Sequence, residues 1–200
     1  MTILLPTRPG LSRAEPEPIR FGGWLTPPHG GEEQWIGRLG SRMQLTCQTP
    51  RLKPDPDGRL WVAALASAFL TGELVSMPFL QPWFKVGAPG AIVVEGGGQQ
   101  GMVLRVRGGT SHYAIRKGQF FSLVSGGRRY LHFARGETVL NADGSAEVPI
   151  APMLRIVPQD GDACEFGTPT IEGKVGGDRM SWTHERARMA GLAFVITETK

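Results

Sequence analysis

Four histidines, His29, His112, His132 and His184, are the residues best suited to acid–base or metal chemistry, and their spacing keeps them apart. No two stand at i, i+4, and none lies near a cysteine, so the patterns that hold zinc are absent. His29 is followed by Glu32 and Glu33 and has the donors for a metal contact. Adjacent carboxylates in a glycine-containing turn are, however, ordinarily solvated. His132 stands between Leu131 and Phe133 in an apolar run and reads as a packing residue. Cys47 lies in the alternating run Met43–Gln48 and reads as a small core residue, with Cys164 far away along the chain. Two cysteines alone make no structural zinc site, and reduced thiols are expected over a disulfide.

Gly96-Gly97-Gly98-Gln99-Gln100-Gly101 matches G-x-G-x-x-G. A dinucleotide site needs a strand before that motif, a helix after it and an acid about 20 residues on. Here Met102–Arg107 follows with strand alternation, and Gly118–Ser125 holds no acid, so the motif reads as a glycine-rich β-turn. Asp160-Gly161-Asp162 starts like a calcium loop, but Ala163, Cys164 and Glu165 do not continue an oxygen-ligand series. No serine sits in a G-x-S-x-G elbow. Paired glycosidase carboxylates leave no sequence signature. The expectation is a protein without catalysis, with no catalytic, cofactor-binding or metal residue to name and no cofactor.

Between Gly101 and Gly136 stand seven bases, Arg105, Arg107, Arg116, Lys117, Arg128, Arg129 and Arg135, and no acid. Such a stretch suits a nucleic-acid patch or a strand surface that is solvated or faces a partner. The bases alternate with apolar residues and no nucleic-acid motif accompanies them, which favours inter-subunit contact over a channel-facing role. DNA contact is expected to be transient at most.

The elements that must position these groups are short and β-rich. Gln119–Ser125 and Arg128–Phe133 flank Gly126-Gly127, a hairpin signal because primed turns need positive φ. Aromatic residues fall on both faces of that ribbon, so it belongs in the interior. Met1–Pro18, with Pro6, Pro9, Pro16 and Pro18 and no apolar period, reads as an extended N-terminal arm, loose on its own. Strands are expected at Ile19–Leu25, Gln34–Leu39, Met43–Gln48, Leu74–Leu80, Ala91–Glu95 and Met102–Arg107. A second hairpin is expected from Thr138–Asn141 to Ser145–Ile150 about Ala142-Asp143-Gly144, with Met153–Val157, Ala163–Phe166, Ile171–Val175, Met180–Trp182 and Leu192–Thr197 beyond it. One helix is expected over Leu60–Thr71, capped by Asp57, stopped by Gly72 and packed through Trp61, Leu65 and Phe69. His184–Met189 is expected to form a helical turn. The sum is mainly β: an antiparallel β-sandwich or split β-barrel with one short α-helix at about 60–71, residues 1–18 an arm and 19–200 a single β-rich domain.

Composition agrees. The chain of 200 residues is long enough for a sizeable core, and its 28 glycines and 16 prolines are spread between apolar runs, as turns are. Met1–Leu5 lacks the basic n-region of a signal peptide, and Leu60–Leu70 is far short of the roughly 20 apolar residues a spanning helix needs. Membrane partners are not expected.

Four stretches, PIRFGGWLTPPHGGEEQWIGRLGSR, GQFFSLVSGGRRYLHF, DGSAEVPIAPMLRIVPQDGD and the closing PTIEGKV with GLAFVITE, resemble the distal tail, or tail-tip ring, proteins of long-tailed bacteriophages. The likeness extends over most of the chain and consists of turn and strand patterns. It implies a β-rich structural virion protein of the tail tip, made in the bacterial cytoplasm and forming a homo-oligomeric ring, commonly a hexamer, that joins the tail-tube protein to the tail hub and receptor-binding apparatus of the baseplate. It brings no catalytic residue. The alternative is a β-sandwich binding module for carbohydrate or nucleic acid.

Overall fold

The computed structural model describes residues 1–82, 85–183, 185 and 189–199. Along these, β1 (Thr2–Leu4), β2 (Arg13–Ile19), β3 (Gly22–Leu25), β4 (Gln34–Gly37) and β5 (Arg42–Gln48) precede the helix α1 (Arg59–Thr71). Then come β6 (Leu74–Pro78), β7 (Gly90–Val94), β8 (Val103–Gly109), β9 (Ala114–Ile115), β10 (Phe120–Ser125) and β11 (Arg128–Ala134). The chain finishes with β12 (Thr138–Val139), β13 (Ala146–Ala151), β14 (Ala163–Glu165), β15 (Thr170–Val175) and β16 (Ala193–Glu198).

Gly126 and Gly127 adopt φ of 58° and 74°, the conformation a two-residue primed turn requires, and they join β10 to β11 in the register Ser125↔Arg128 through Phe120↔Phe133. This ribbon lies in a closed six-stranded barrel of order β10-β11-β13-β8-β7-β14. Its alternation separates two environments. Phe121, Leu123 and Tyr130 point into the barrel with Leu104, Val106, Val148 and Ile150. Phe120 and Leu131 point outward, into a second core.

That second core belongs to a six-stranded sheet of order β1-β6-β15-β16-β5-β2, antiparallel except where β1 runs parallel to β6. The helix α1 contributes Trp61, Leu65 and Ala68, which pack with Leu45, Val75, Ile171 and Ile196. Its inward stripe is i, i+4, i+7, so Ala68 replaces the expected Phe69, which is only half-buried. At about 100° per residue, i+7 returns to within about 20° of the starting direction and i+8 overshoots it. Gly72 stops the helix in the left-handed conformation, φ 70°. Asp57 does not cap it: the turn over Pro54–Gly58 is kinked, with Asp55 extended at φ −133° and ψ 137°, and Gly58 occupies the cap position with no side-chain cap.

Sheet and barrel are joined by polar as well as apolar contacts. The Ser122 hydroxyl donates to Thr170 O at 2.8 Å and accepts from Thr170 N at 2.6 Å. The Gln81 side chain pairs with both backbone groups of Phe120 at 3.2 and 2.8 Å.

Two of the remaining departures from expectation, the arm and the second hairpin, come from pairing between distant segments. The N-terminal arm is extended but not loose. Residues 2–4 and 13–19 are the two edge strands of the sheet, and Leu5 is buried between them in sequence. The Ala142-Asp143-Gly144 turn forms, with Asn141 N donating to Ser145 O at 2.8 Å, but its arms diverge: β12 pairs with β9, and β13 with β8 and β11. Gly144 lies so close to the Gly109 backbone that a Cβ there would come within 2.2 Å of Gly109 O, which fixes the turn on β8 instead. Met153–Val157 and Met180–Trp182 are not strands. The turn expected over His184–Met189 falls on residues 184 and 186–188, outside the described residues.

Candidate functional site

The basic stretch acquires its missing acids through the fold. Arg107, on β8, forms a two-pronged ion pair with Asp160 at 2.9 and 3.2 Å. Arg129, on β11, does the same with Glu165 of β14 at 2.9 and 3.0 Å. Buried Glu172, on β15, lies beside Arg128 and Arg129; burial raises its pKa, and the two guanidiniums oppose the rise. Arg135 contacts Met102 Sδ at 3.2 Å. Arg105 stands opposite Glu147 in the β8–β13 register, and Arg116 and Lys117 are exposed in the turn before β10. The seven bases are thus spread around the barrel, and two of them are neutralised in cis.

The glycine motif is a β-hairpin connection. It links β7 to β8, and Gly96, Gly98 and Gly101 have positive φ. Its polar groups are spent on the fold. Gln99 Nε2 donates to Glu95 O at 2.8 Å, Gly96 O at 3.0 Å and Arg105 O at 3.2 Å, and its Oε1 accepts from Arg105 N at 2.7 Å. The Gly96 N–H, which a phosphate would need, donates to Asp160 at 2.7 Å. That bond, then the Arg107 guanidinium, holds the Asp160 carboxyl below its usual range. Asp162 accepts from Gln159 N at 2.8 Å, so the Asp-Gly-Asp turn is closed on itself.

His29, Glu32 and Glu33 are exposed in the loop between β3 and β4, where Glu33 accepts from Thr26 at 2.9 Å. Among the described residues no group of three or more His, Cys, Asp or Glu side chains is placed to hold a metal ion. Cys47 and Cys164 are both free and buried, and burial pushes each thiol up to about 12. Among the described residues no helix is long and apolar enough to cross a membrane.

Two features had no obvious sequence signal. One is a buried ion pair between Arg155 and Glu198, 2.9 Å apart. Glu198 also accepts from Leu131 N of the barrel at 2.6 Å and Met43 N of the sheet at 2.7 Å, so one carboxylate ties the two units together. Arg155 lies over the Tyr130 ring at 5.3 Å. Next to it His132 is buried, stacked on Phe121, with Nδ1 2.9 Å from Pro152 O. A carbonyl only accepts, so Nδ1 carries a hydrogen. Burial, and then the Arg155 charge, hold its pKa down at about 4 against the Pro152 bond.

The other is the hairpin β3–β4. It pairs Gly22↔Gly37 through Leu25↔Gln34 and forms a two-stranded sheet of its own. Phe21, Trp24, Leu25, Ile36 and Leu39 on and beside it are 38, 58, 54, 46 and 65% exposed. Taking about 200 Å² for a large side chain, that leaves on the order of 500 Å² of apolar surface in water, divided between the Trp24 face of the ribbon, the Leu25 and Ile36 face and the flanking Phe21 and Leu39. The two runs are visible in the sequence as apolar segments around TPPHGGEE; their exposure is not. Arg20 lies over Trp35 at 4.9 Å and Arg42 over Phe21 at 4.8 Å, which holds the base of the hairpin in place.

A scan against protein-family models finds no match for this chain, and neither does a search of curated proteins.

Proposed function

We propose that the chain is a structural virion protein of a phage tail tip, a subunit of the distal-tail or baseplate ring that joins the tail tube to the hub and receptor-binding apparatus. The observation that carries this proposal is the exposed apolar hairpin β3–β4. A hairpin with large apolar side chains exposed on both faces suits a protein contact, and an assembling subunit must keep such a surface until its neighbour covers it. The likeness of the four sequence stretches to tail-tip ring proteins supplies the class of assembly. The polar groups that suggested other chemistry are engaged within the fold: the glycine loop by Asp160 and Gln99, two of the seven bases by Asp160 and Glu165. A carbohydrate-binding module is the alternative, favoured by the exposed face of Trp24.

Negative-stain electron microscopy of the purified protein tests the proposal. Class averages are expected to contain closed rings of one diameter. Monomers alone, both with and without added tail-tube protein, would overturn it.

A further inference from the structure

We propose that two copies of this chain pair through the outer face of α1, with the helices antiparallel across a two-fold axis. The inference is independent of the ring reading and uses no part of the β3–β4 hairpin.

A surface helix ordinarily turns charged side chains to water. Leu60–Thr71 holds none, and Arg59 is the one charged residue of α1. A helix that is apolar all round is one that is buried all round, yet the core of this chain takes only the Trp61, Leu65 and Ala68 side. The other side is in water. Leu60 is 48% and Leu70 81% exposed, and Ala63 and Ser67 are exposed between them. At about 100° per residue the four fall within an arc of about 80°. They stand at i, i+3, i+7 and i+10, the spacing of a helix–helix seam.

The seam is complementary to itself. With two copies antiparallel, Leu60 of each meets Leu70 of the other, and Ala63 meets Ser67. The leucine pairs bracket a waist of small residues, where the two backbones approach closely. Charge sets the direction. Arg59 begins the helix, and Glu73 follows its Gly72 stop. Antiparallel pairing brings each Arg59 beside the other copy's Glu73 and opposes the two helix dipoles. Parallel pairing would set like charge on like. Within one chain Arg59 pairs with Asp55, and Glu73 accepts from Thr71 at 3.1 Å. Both side chains still reach solvent, 64% and 30% exposed. Beside the seam, Trp182 forms a shallow cleft with Val62, Ala63 and Met189 and widens the apolar face. At about 200 Å² for a large side chain, Leu60, Leu70 and Trp182 offer on the order of 350 Å² per copy. With exposed Arg59, Ala63, Ser67 and Thr71 added, the pair buries at most roughly 1,000 Å², the weak end of specific interfaces. The dimer therefore forms at high protein concentration.

The test uses the full chain carrying Trp24→Ala, so that the hairpin contact does not enter; the native Cys47 and Cys164 are buried. Ala63→Cys and Ser67→Cys proteins are mixed at high concentration and oxidised. The main product is expected to be the disulfide heterodimer, recognised by its mass. Two homodimers instead would mean parallel helices, and no disulfide would mean no pairing; either overturns the inference. In sedimentation equilibrium Leu70→Glu is expected to weaken the dimer at least tenfold at an unchanged melting temperature. Arg59→Glu is expected to weaken it too, and Arg59→Glu/Glu73→Arg to restore it. If Leu70→Glu associates as its parent does, α1 is not the contact. A dimer found here stands even if the chain without Trp24→Ala forms no ring, and rings without this dimer leave the proposed function standing and overturn the pairing.

Discussion

His132 is buried, held well below its ordinary pKa and beside the Arg155 guanidinium, so acid should destabilise this protein through that ring. Its pKa falls from 6.5 to about 4 on folding. Between those values the unfolded chain binds a proton that the folded chain refuses. The stabilisation is therefore fully present above about pH 6.5 and is lost as pH falls through about 4. At about 1.4 kcal/mol per tenfold change in proton affinity, the whole effect is about 3 kcal/mol. Glu172 and Glu198, whose pKa values burial raises, act with the opposite sign: their contribution is lost as pH rises. Comparison with His132→Gln, which keeps a donor for Pro152 O, cancels them. Urea unfolding followed by tryptophan fluorescence from pH 8 to pH 4 should give a stability difference between the two proteins that shrinks by about 3 kcal/mol over that range. Parallel curves would show that His132 does not carry the acid sensitivity.

Glu198→Ala leaves Arg155 buried without its partner and strips the acceptor from Leu131 N and Met43 N, so it is expected to cost about 3–5 kcal/mol in urea unfolding, with Glu198→Ala/Arg155→Met recovering part of the loss. Gly127→Val forces a β-branched residue to φ 74° in open space, a strain of about 1–2 kcal/mol, read as a melting temperature lower by about 2–8 °C. Calorimetric titration of NAD and ATP is expected to give no heat of binding, because Asp160 already holds the Gly96 N–H; micromolar binding abolished by Gly98→Val would contradict that.

What the sequence made legible was local. The Gly126-Gly127 turn and the Gly72 stop follow from conformational demands satisfied within a few residues. What it hid was pairing at a distance. A strand with Pro16 and Pro18 is recognisable only beside β5, because proline is tolerated at a sheet edge and looks like a linker elsewhere. The bases Arg107 and Arg129 looked uncompensated because their acids lie 53 and 36 residues away. Arg155 and Glu198 carry no shared pattern at all, and the barrel–sheet junction brings them together. The apolar residues of β3 and β4 were visible, but composition does not distinguish a strand awaiting its own core from one awaiting a neighbour.

If this chain is an assembling structural subunit, as proposed, another copy covers its exposed apolar hairpin, and native mass spectrometry over a concentration series should find one closed oligomer of fixed copy number, dissociated by Trp24→Ala. A monomer at every concentration, with or without tail-tube protein, would contradict it.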